Sequence, residues 1–124
     1  MSLDQPTLIE FCRTLPHATE DVKWEHHLVF SIGGKMFAIF DPEQDLHLSL
    51  KSTQEGFMAL TPEAGVIPAP YLARYYWICI TERNALPMEM AIELIQESYQ
   101  LVRDKLPAKV RKSFRTCLPE NASL

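Results

Sequence analysis

Two adjacent glycines, Gly33 and Gly34, separate two short runs of apolar and β-branched residues. A two-residue hairpin turn of this kind needs positive φ angles, which glycine adopts without steric cost. The sequence therefore predicts an antiparallel hairpin with strands over residues 28–32 and 35–40. The second run, Lys-Met-Phe-Ala-Ile-Phe, is apolar on both faces. Its strand is therefore expected near the centre of the sheet.

Residues 46–51 extend this hairpin into a three-strand meander. They alternate between leucines and polar residues, which is typical of a strand with one buried face. The leucines are expected to face the core, while His47, Ser49 and Lys51 share the opposite face. A fourth strand is predicted over residues 75–81, a run rich in aromatic and β-branched residues.

Helical periodicity, capping residues and proline positions predict the remaining elements. The predicted helices are residues 5–14, 53–60 and 87–105, followed by a short helix after Pro107. Polar residues 17–27, anchored by Trp24, and residues 65–70 are predicted to be connecting loops. Antiparallel strands bracketed by helices indicate an α+β fold, with the N-terminal and long C-terminal helices on one face of the sheet.

The length of 124 residues fits a single domain, expected over residues 1–118, with residues 119–124 as a frayed tail. No run approaches the ~18 apolar residues of a membrane span, and no secretory signal is visible. We therefore expect a cytoplasmic monomer that does not associate with membranes. Cys12, Cys79 and Cys117 are far apart and odd in number, which favours free, buried thiols over a disulfide or metal framework.

The formal net charge is −4, but the positive charges are unevenly distributed. Residues 103–115 contain six Lys and Arg residues against the single carboxylate of Asp104. Nucleic-acid binding draws its affinity from clustered cations, and single-strand binders add aromatic stacking surfaces. The candidate nucleic-acid contacts are Lys51, Arg74, Tyr75, Tyr76, Lys105, Lys109, Arg111, Lys112 and Arg115. Alternatively, the basic segment only complements the helix dipole and promotes solubility, and the tyrosines pack on the sheet.

No catalytic motif is recognisable, and the cysteines have no histidine at a telling spacing. We therefore expect no enzyme activity, no catalytic residue and no cofactor. His26 and His27 lie near Glu20, Asp21 and Glu25 in the sequence. Adjacent histidines in a strand point to opposite faces, however, so no metal site is expected there.

Several distinctive runs follow one another along the chain: Leu-Pro-His-Ala-Thr-Glu-Asp at 15–21, Gly-Gly-Lys-Met-Phe-Ala at 33–38, the aromatic stretch ending at Trp77, Leu86-Pro87, and Ser-Tyr-Gln-Leu-Val at 98–102. In this order they resemble the bacterial MmcQ/YjbR-like family over about residues 7–115. The resemblance implies a CyaY/frataxin-like fold and a DNA-binding role. The chain departs from the family pattern before Trp77, because two lysines common there are missing and only Arg74 remains.

The leading hypothesis is therefore a non-enzymatic binding module of the DNA-binding type that this family resemblance implies. It would bind the nucleic-acid backbone with little preference for base sequence. The alternative is a regulatory domain that binds a protein or a small ligand on the exposed sheet face. That ligand would occupy a cleft near His47, Tyr71 and Trp77, under the proline-rich loop.

Overall fold

The computed structural model describes residues 2–116 of the chain, with side chains described for residues 2–114. The helices are α1 (Gln5–Arg13), α2 (Gln54–Leu60), α3 (Met88–Asp104) and α4 (Ala108–Thr116). The strands are β1 (Ala18–Lys23), β2 (His27–Ile32), β3 (Lys35–Phe40), β4 (Leu48–Lys51), β5 (Val66–Pro68) and β6 (Trp77–Ile80). The strands form one antiparallel sheet in the order β1-β2-β3-β4-β6-β5. The predicted α+β class is confirmed.

The hairpin between β2 and β3 forms as predicted. Ile32 pairs with Lys35 across the turn, and Gly33 and Gly34 have φ angles of +59° and +82°. Gly33 also lies against the Leu106 side chain, because a Cβ added to this glycine would be only 2.6 Å from Leu106 Cδ1. Glycine at position 33 therefore serves two purposes. It adopts the backbone conformation of the turn, and it lets the turn pack closely against Leu106 after α3.

The main hydrophobic core lies between the sheet and the helices α1 and α3. Leu8 and Cys12 of α1 and Ile95 of α3 are fully buried in it. The predicted position of these two helices on one face of the sheet is therefore confirmed. The prediction that β3 is central is also confirmed, because Phe37 faces this core and Ile39 packs on the other face.

Two strands lie where the sequence predicted loops. Residues 18–23 form β1, an edge strand that is exposed over almost its whole length, so it lacks an alternating apolar pattern. Residues 66–68 form β5 on the opposite edge of the sheet. Pro68 is tolerated there because an edge strand pairs on one side only, so the missing proline N–H breaks no hydrogen bond to a second strand. Trp24, predicted to be the aromatic anchor of the connection at residues 17–27, is 58% exposed in the turn between β1 and β2.

The predicted fourth strand is shorter than expected at its start. Residues 73–75 form a 3-10 turn, and the backbone of Tyr76 adopts the left-handed conformation with a φ angle of +66°. The strand β6 therefore begins only at Trp77. Cys12 and Cys79 are buried free thiols, as predicted. Cys117 and the tail predicted at residues 119–124 lie outside the described residues. No helix within residues 2–116 is long and apolar enough to cross a bilayer.

Candidate functional site

The face of the sheet opposite the helices is partly covered by the loop that connects β5 to β6. Ala69 and Leu72 of this loop pack against Val29, Ile39 and Cys79 on the strands, which makes a second, smaller core. The rest of this face stays open beside the loop. The loop therefore turns a flat sheet surface into a surface with recesses on its two sides.

The larger recess, here called the sheet-face cleft, has a volume of about 590 Å³. Its apolar lining consists of Trp24, Met36, Ile39, Pro70 and Leu72. Its polar lining consists of His27, Asp41, His47, Ser49 and Tyr71. Most of the surface that these residues expose to the cleft is apolar, and an apolar cleft of this size with a few polar groups is the usual form of a small-molecule site.

Only some of the residues that line this cleft were predicted from the sequence. The alternation in β4 put His47 and Ser49 on the same face, and the structure places both in the cleft, together with Tyr71. Trp77, expected beside them, is buried and borders a different recess. Trp24 and Asp41 were missed because each lies in a turn, where no periodicity marks which way a side chain faces.

Gln5 of α1 fixes the turn that carries the polar side of the cleft. Its side-chain amide donates to the carbonyl oxygens of Asp41 and Gln44 at 3.1 and 3.2 Å, and its Oε1 accepts from the His47 N–H at 2.8 Å. The Gln5 residue itself is buried. The backbone on both sides of the turn from 41 to 47 is therefore held in place by one side chain.

His47 lies beside Cys79, a pairing that the spacing of cysteines and histidines in the sequence did not indicate. The Cys79 sulfur is 3.5 Å from His47 Nε2. Burial raises the pKa of the Cys79 thiol, against smaller opposing effects from Ser49 and the Leu48 backbone. A fully buried thiol with a raised pKa is a poor nucleophile, so the burial of Cys79 works against a nucleophilic role for this pair.

The second recess, here called the lysine cleft, has a volume of about 350 Å³ and lies on the other side of Leu72 and Met36. Three cations from three different elements line it: Lys35, Lys51 and Lys105. Burial and the nearby Lys105 charge lower the pKa of Lys51. None of the three forms an ion pair with a carboxylate of the described residues. Lys51 and Lys105 were predicted contacts, whereas Lys35 was missed.

The other predicted nucleic-acid contacts are not brought into this cleft. Arg74 lies over the ring of Tyr75, with 5.0 Å between its guanidinium carbon and the ring centroid. Tyr76 packs edge-on against Phe57. Arg111 donates to the Leu106 carbonyl oxygen, in the segment between α3 and α4. Two further candidates, Lys109 and Lys112, are exposed on α4, and the Arg115 side chain lies outside the described residues.

The expectation that His26 and His27 point to opposite faces is wrong. His26 lies in the turn before β2 rather than in a strand, because Trp24 and Glu25 have φ angles of +50° and +75°. The two imidazole rings consequently stack, with centroids 4.6 Å apart. Both rings lie near the carboxylate of Asp41 at the edge of the sheet-face cleft.

Comparison with known proteins identifies relatives of this fold. The family model described as YjbR matches residues 13–101. A crystal structure of a Deinococcus radiodurans protein with the family domain DUF419 has 30% identity and a TM-score of 0.81, covering 90% of this chain and 87% of that one. A Pseudomonas syringae protein of similar fold has 21% identity and a TM-score of 0.65, covering 81% of this chain and 99% of that one. A search of curated proteins gave no match.

The family match spans most of the chain, from the end of α1 to the last turns of α3. It includes the glycine hairpin, the loop between the two clefts and Trp77. The Deinococcus radiodurans structure shares the same architecture over 90% of this chain. The resemblance seen in the sequence is therefore confirmed, and the chain belongs to the YjbR family.

Proposed function

We propose that this protein is a non-enzymatic binding domain whose ligand is a small, largely apolar molecule held in the sheet-face cleft. The observation that carries the proposal is the cleft itself, about 590 Å³ in volume on the open sheet face beside the β5–β6 loop. Met36, Ile39 and Leu72 offer an apolar floor, and ligand surface buried on them is removed from water. The nearby His47 and Ser49 offer groups for hydrogen bonds that orient the ligand.

The proposal favours binding over catalysis because the nucleophile nearest the cleft is unsuited to chemistry. The Cys79 thiol is buried behind His47, and burial raises its pKa. An apolar molecule that also carries hydrogen-bonding groups matches this lining. The exposed ring of Tyr71 lies at the rim, where it can close over such a ligand.

Titration with the apolar dye 8-anilinonaphthalene-1-sulfonate tests this proposal, with amide chemical shifts recorded by NMR. The expected shifts concentrate at Met36, His47, Ser49 and Tyr71. Tyr71→Ala should weaken dye binding roughly two- to tenfold, because an aromatic contact contributes about 0.5–1.5 kcal/mol. Tyr75→Ala is the matched control, since Tyr75 lies in the same loop but lines neither cleft. Shifts spread over the whole surface, or equal losses in both variants, would contradict the proposal.

A second candidate function, nucleic-acid binding, is favoured by the lysine cleft. Burial and, as a smaller effect, the charge of nearby Lys105 lower the pKa of Lys51, and a bound phosphate would offset the repulsion between the two lysines. The buried Trp77 and the apolar floor between the cations leave room for a base or sugar. The predicted cations on α4 would extend this surface only if the bound strand also reaches that helix.

A fluorescent single-stranded oligonucleotide of 20 nucleotides tests this second candidate. Three lysine–phosphate contacts predict a slope of about −2 when the logarithm of affinity is plotted against the logarithm of salt concentration. Lys51→Gln and Lys105→Gln should each reduce the steepness of that slope by about 0.7. Lys23→Gln, on the distant edge strand β1, is the control and should leave the slope unchanged. Binding with no salt dependence would rule the lysine cleft out.

A further inference from the structure

The edge of the sheet-face cleft carries a cluster of side chains that small-molecule binding does not require. His26, His27 and Asp41 each present one potential ligand atom, and these atoms all lie within 4.8 Å of one another. His26 Nε2 is 3.3 Å from Asp41 Oδ1, and His27 Nε2 is 3.9 Å from Asp41 Oδ2. Two donor atoms on one tetrahedral zinc ion lie about 3.3 Å apart, given zinc bonds of about 2.0–2.1 Å. His26 and Asp41 therefore already have the spacing that a single ion imposes, and the other donor distances would shorten when an ion binds.

We propose that His26, His27 and Asp41 form a binding site for a divalent transition-metal ion of the zinc type. Two imidazoles and one carboxylate suit zinc and its neighbours, whereas calcium and magnesium prefer oxygen ligands alone. Three protein ligands leave a coordination position open. His27 and Asp41 also line the cleft, so that position is accessible from the cleft. The site stands independently of the small-molecule binding proposed above.

The carboxylate of this site is held in place before any ion arrives. Asp41 Oδ1 accepts a hydrogen bond from the Glu43 N–H at 3.0 Å. The Asp41 main chain is bonded to the Gln5 side chain and to the His47 carbonyl oxygen. Hydrogen bonds that orient a ligand from outside the coordination sphere raise metal affinity, because less freedom is lost on binding. Only 13% of the Asp41 side chain is exposed.

The two imidazoles are available as ligands. Neither ring nitrogen of His27 makes a hydrogen bond to another described residue, and its Nδ1 is buried without a partner. The two rings stack with centroids 4.6 Å apart, so the Nε2 atoms of both lie near the same Asp41 carboxylate.

The local charge also matches a dication. Besides Asp41, the Glu43 carboxylate has one oxygen 3.9 Å from His26 Nε2, and its side chain is 70% exposed. Two neutral imidazoles and two carboxylates together balance a charge of 2+. Glu43 is thus free to move in as a fourth ligand or to stay outside as a counter-charge. Either arrangement preserves the same three-residue centre.

Calorimetric titration of zinc chloride into the metal-free full chain tests the site. We expect one zinc ion per chain, with affinity reduced at least tenfold in His26→Gln, His27→Gln and Asp41→Asn. His17→Gln is the matched control, because the His17 ring instead stacks on Phe114. Retention of wild-type affinity in the three variants, or no zinc uptake by the wild-type chain, would overturn the proposal.

Two measurements on the unaltered chain keep the test decisive if a variant fails to fold. Zinc should shift the ring resonances of His26 and His27 and leave those of His17 in place. Cobalt, added in place of zinc, should give visible absorption without the intense near-ultraviolet band of a cobalt–thiolate bond. A thiolate band, or unshifted His26 and His27 rings, would show that the ion binds elsewhere. Dye titration in the presence of EDTA measures the cleft separately, so the two proposals can fail independently.

Discussion

The hydroxyl group of Ser98, on the buried face of α3, donates a 2.6 Å hydrogen bond to the carbonyl oxygen of Phe37. The same hydroxyl accepts a 2.9 Å hydrogen bond from the Lys51 N–H. The β3–β4 pairing reaches only as far as Ala38 and Leu50, so Ser98 bridges the next pair of backbone groups. One helix side chain thereby joins two neighbouring strands at the point where the lysine cleft begins.

Removal of this hydroxyl should destabilise the fold. Ser98→Ala leaves a buried carbonyl and a partly buried N–H without their partner, so we expect a loss of about 2 kcal/mol or more in the free energy of unfolding. Ser52→Ala is the matched control, because the buried Ser52 hydroxyl has no hydrogen-bond partner within the described part of the chain. Urea denaturation of both variants measures the difference. Equal losses of unfolding free energy in the two variants would contradict a stabilising role for the hydrogen bonds of Ser98.

The two turn glycines should respond differently to alanine. Both have positive φ angles, so each Gly→Ala change should cost about 1–2 kcal/mol of backbone strain. At Gly33 the new methyl group also meets Leu106, whereas the space beside Gly34 is open. Gly33→Ala should therefore lower the thermal midpoint further than Gly34→Ala. If Leu106→Ala is added, that extra loss should shrink, and its persistence would contradict the packing explanation.

Gln5 should control the order of the turn that carries Asp41 and His47. Gln5→Ala removes three hydrogen bonds to this turn, so amide hydrogen exchange should accelerate at residues 41–47. Exchange in the hairpin of β2 and β3 should change only as much as global stability does. Zinc binding should weaken in the same variant, because the ligand Asp41 lies in the loosened turn. Unaltered exchange at residues 41–47 would contradict this role for Gln5.

The buried thiol of Cys12 should make stability depend on pH in the alkaline range. Burial raises its pKa to about 12 from an ordinary value of 9.0. The folded state thus favours the protonated thiol, and its contribution is complete below pH 9 and declines as the pH rises towards 12. The stability difference between the wild type and Cys12→Ala should shrink between pH 9 and pH 10.5, as measured by urea denaturation. A constant difference would contradict a raised pKa.

Cysteine alkylation provides a direct readout of the same burial. Cys12 and Cys79 are both fully buried, and burial raises the pKa of each thiol. Iodoacetamide at pH 8 should therefore leave both unmodified in the native protein and label both in urea, with the sites assigned by peptide mass spectrometry. Rapid native labelling of Cys79 would reopen the possibility that it and His47 act as a reactive pair.

The hairpin, the helices and the fold class were predictable from sequence because each depends on local physics. Two glycines are enough to specify a tight turn, and the spacing of Leu8 and Cys12 is enough to mark the buried face of α1. The alternation of β4 likewise predicted that His47 and Ser49 share a face. The edge strands β1 and β5 were not predictable, because exposed edge residues carry no alternating pattern and their hydrogen bonds come from a neighbouring strand.

The sequence by itself thus determined the local elements and the family of this protein. Only the tertiary structure decided which side chains meet. Lys35, Lys51 and Lys105 come from the starts and ends of three different elements, and they converge because β3, β4 and the end of α3 share one end of the sheet. His26, His27 and Asp41 meet because a turn with two positive φ angles rotates His26 out of strand geometry. Such meetings depend on strand order and on turn conformation, which no pattern of neighbouring residues specifies.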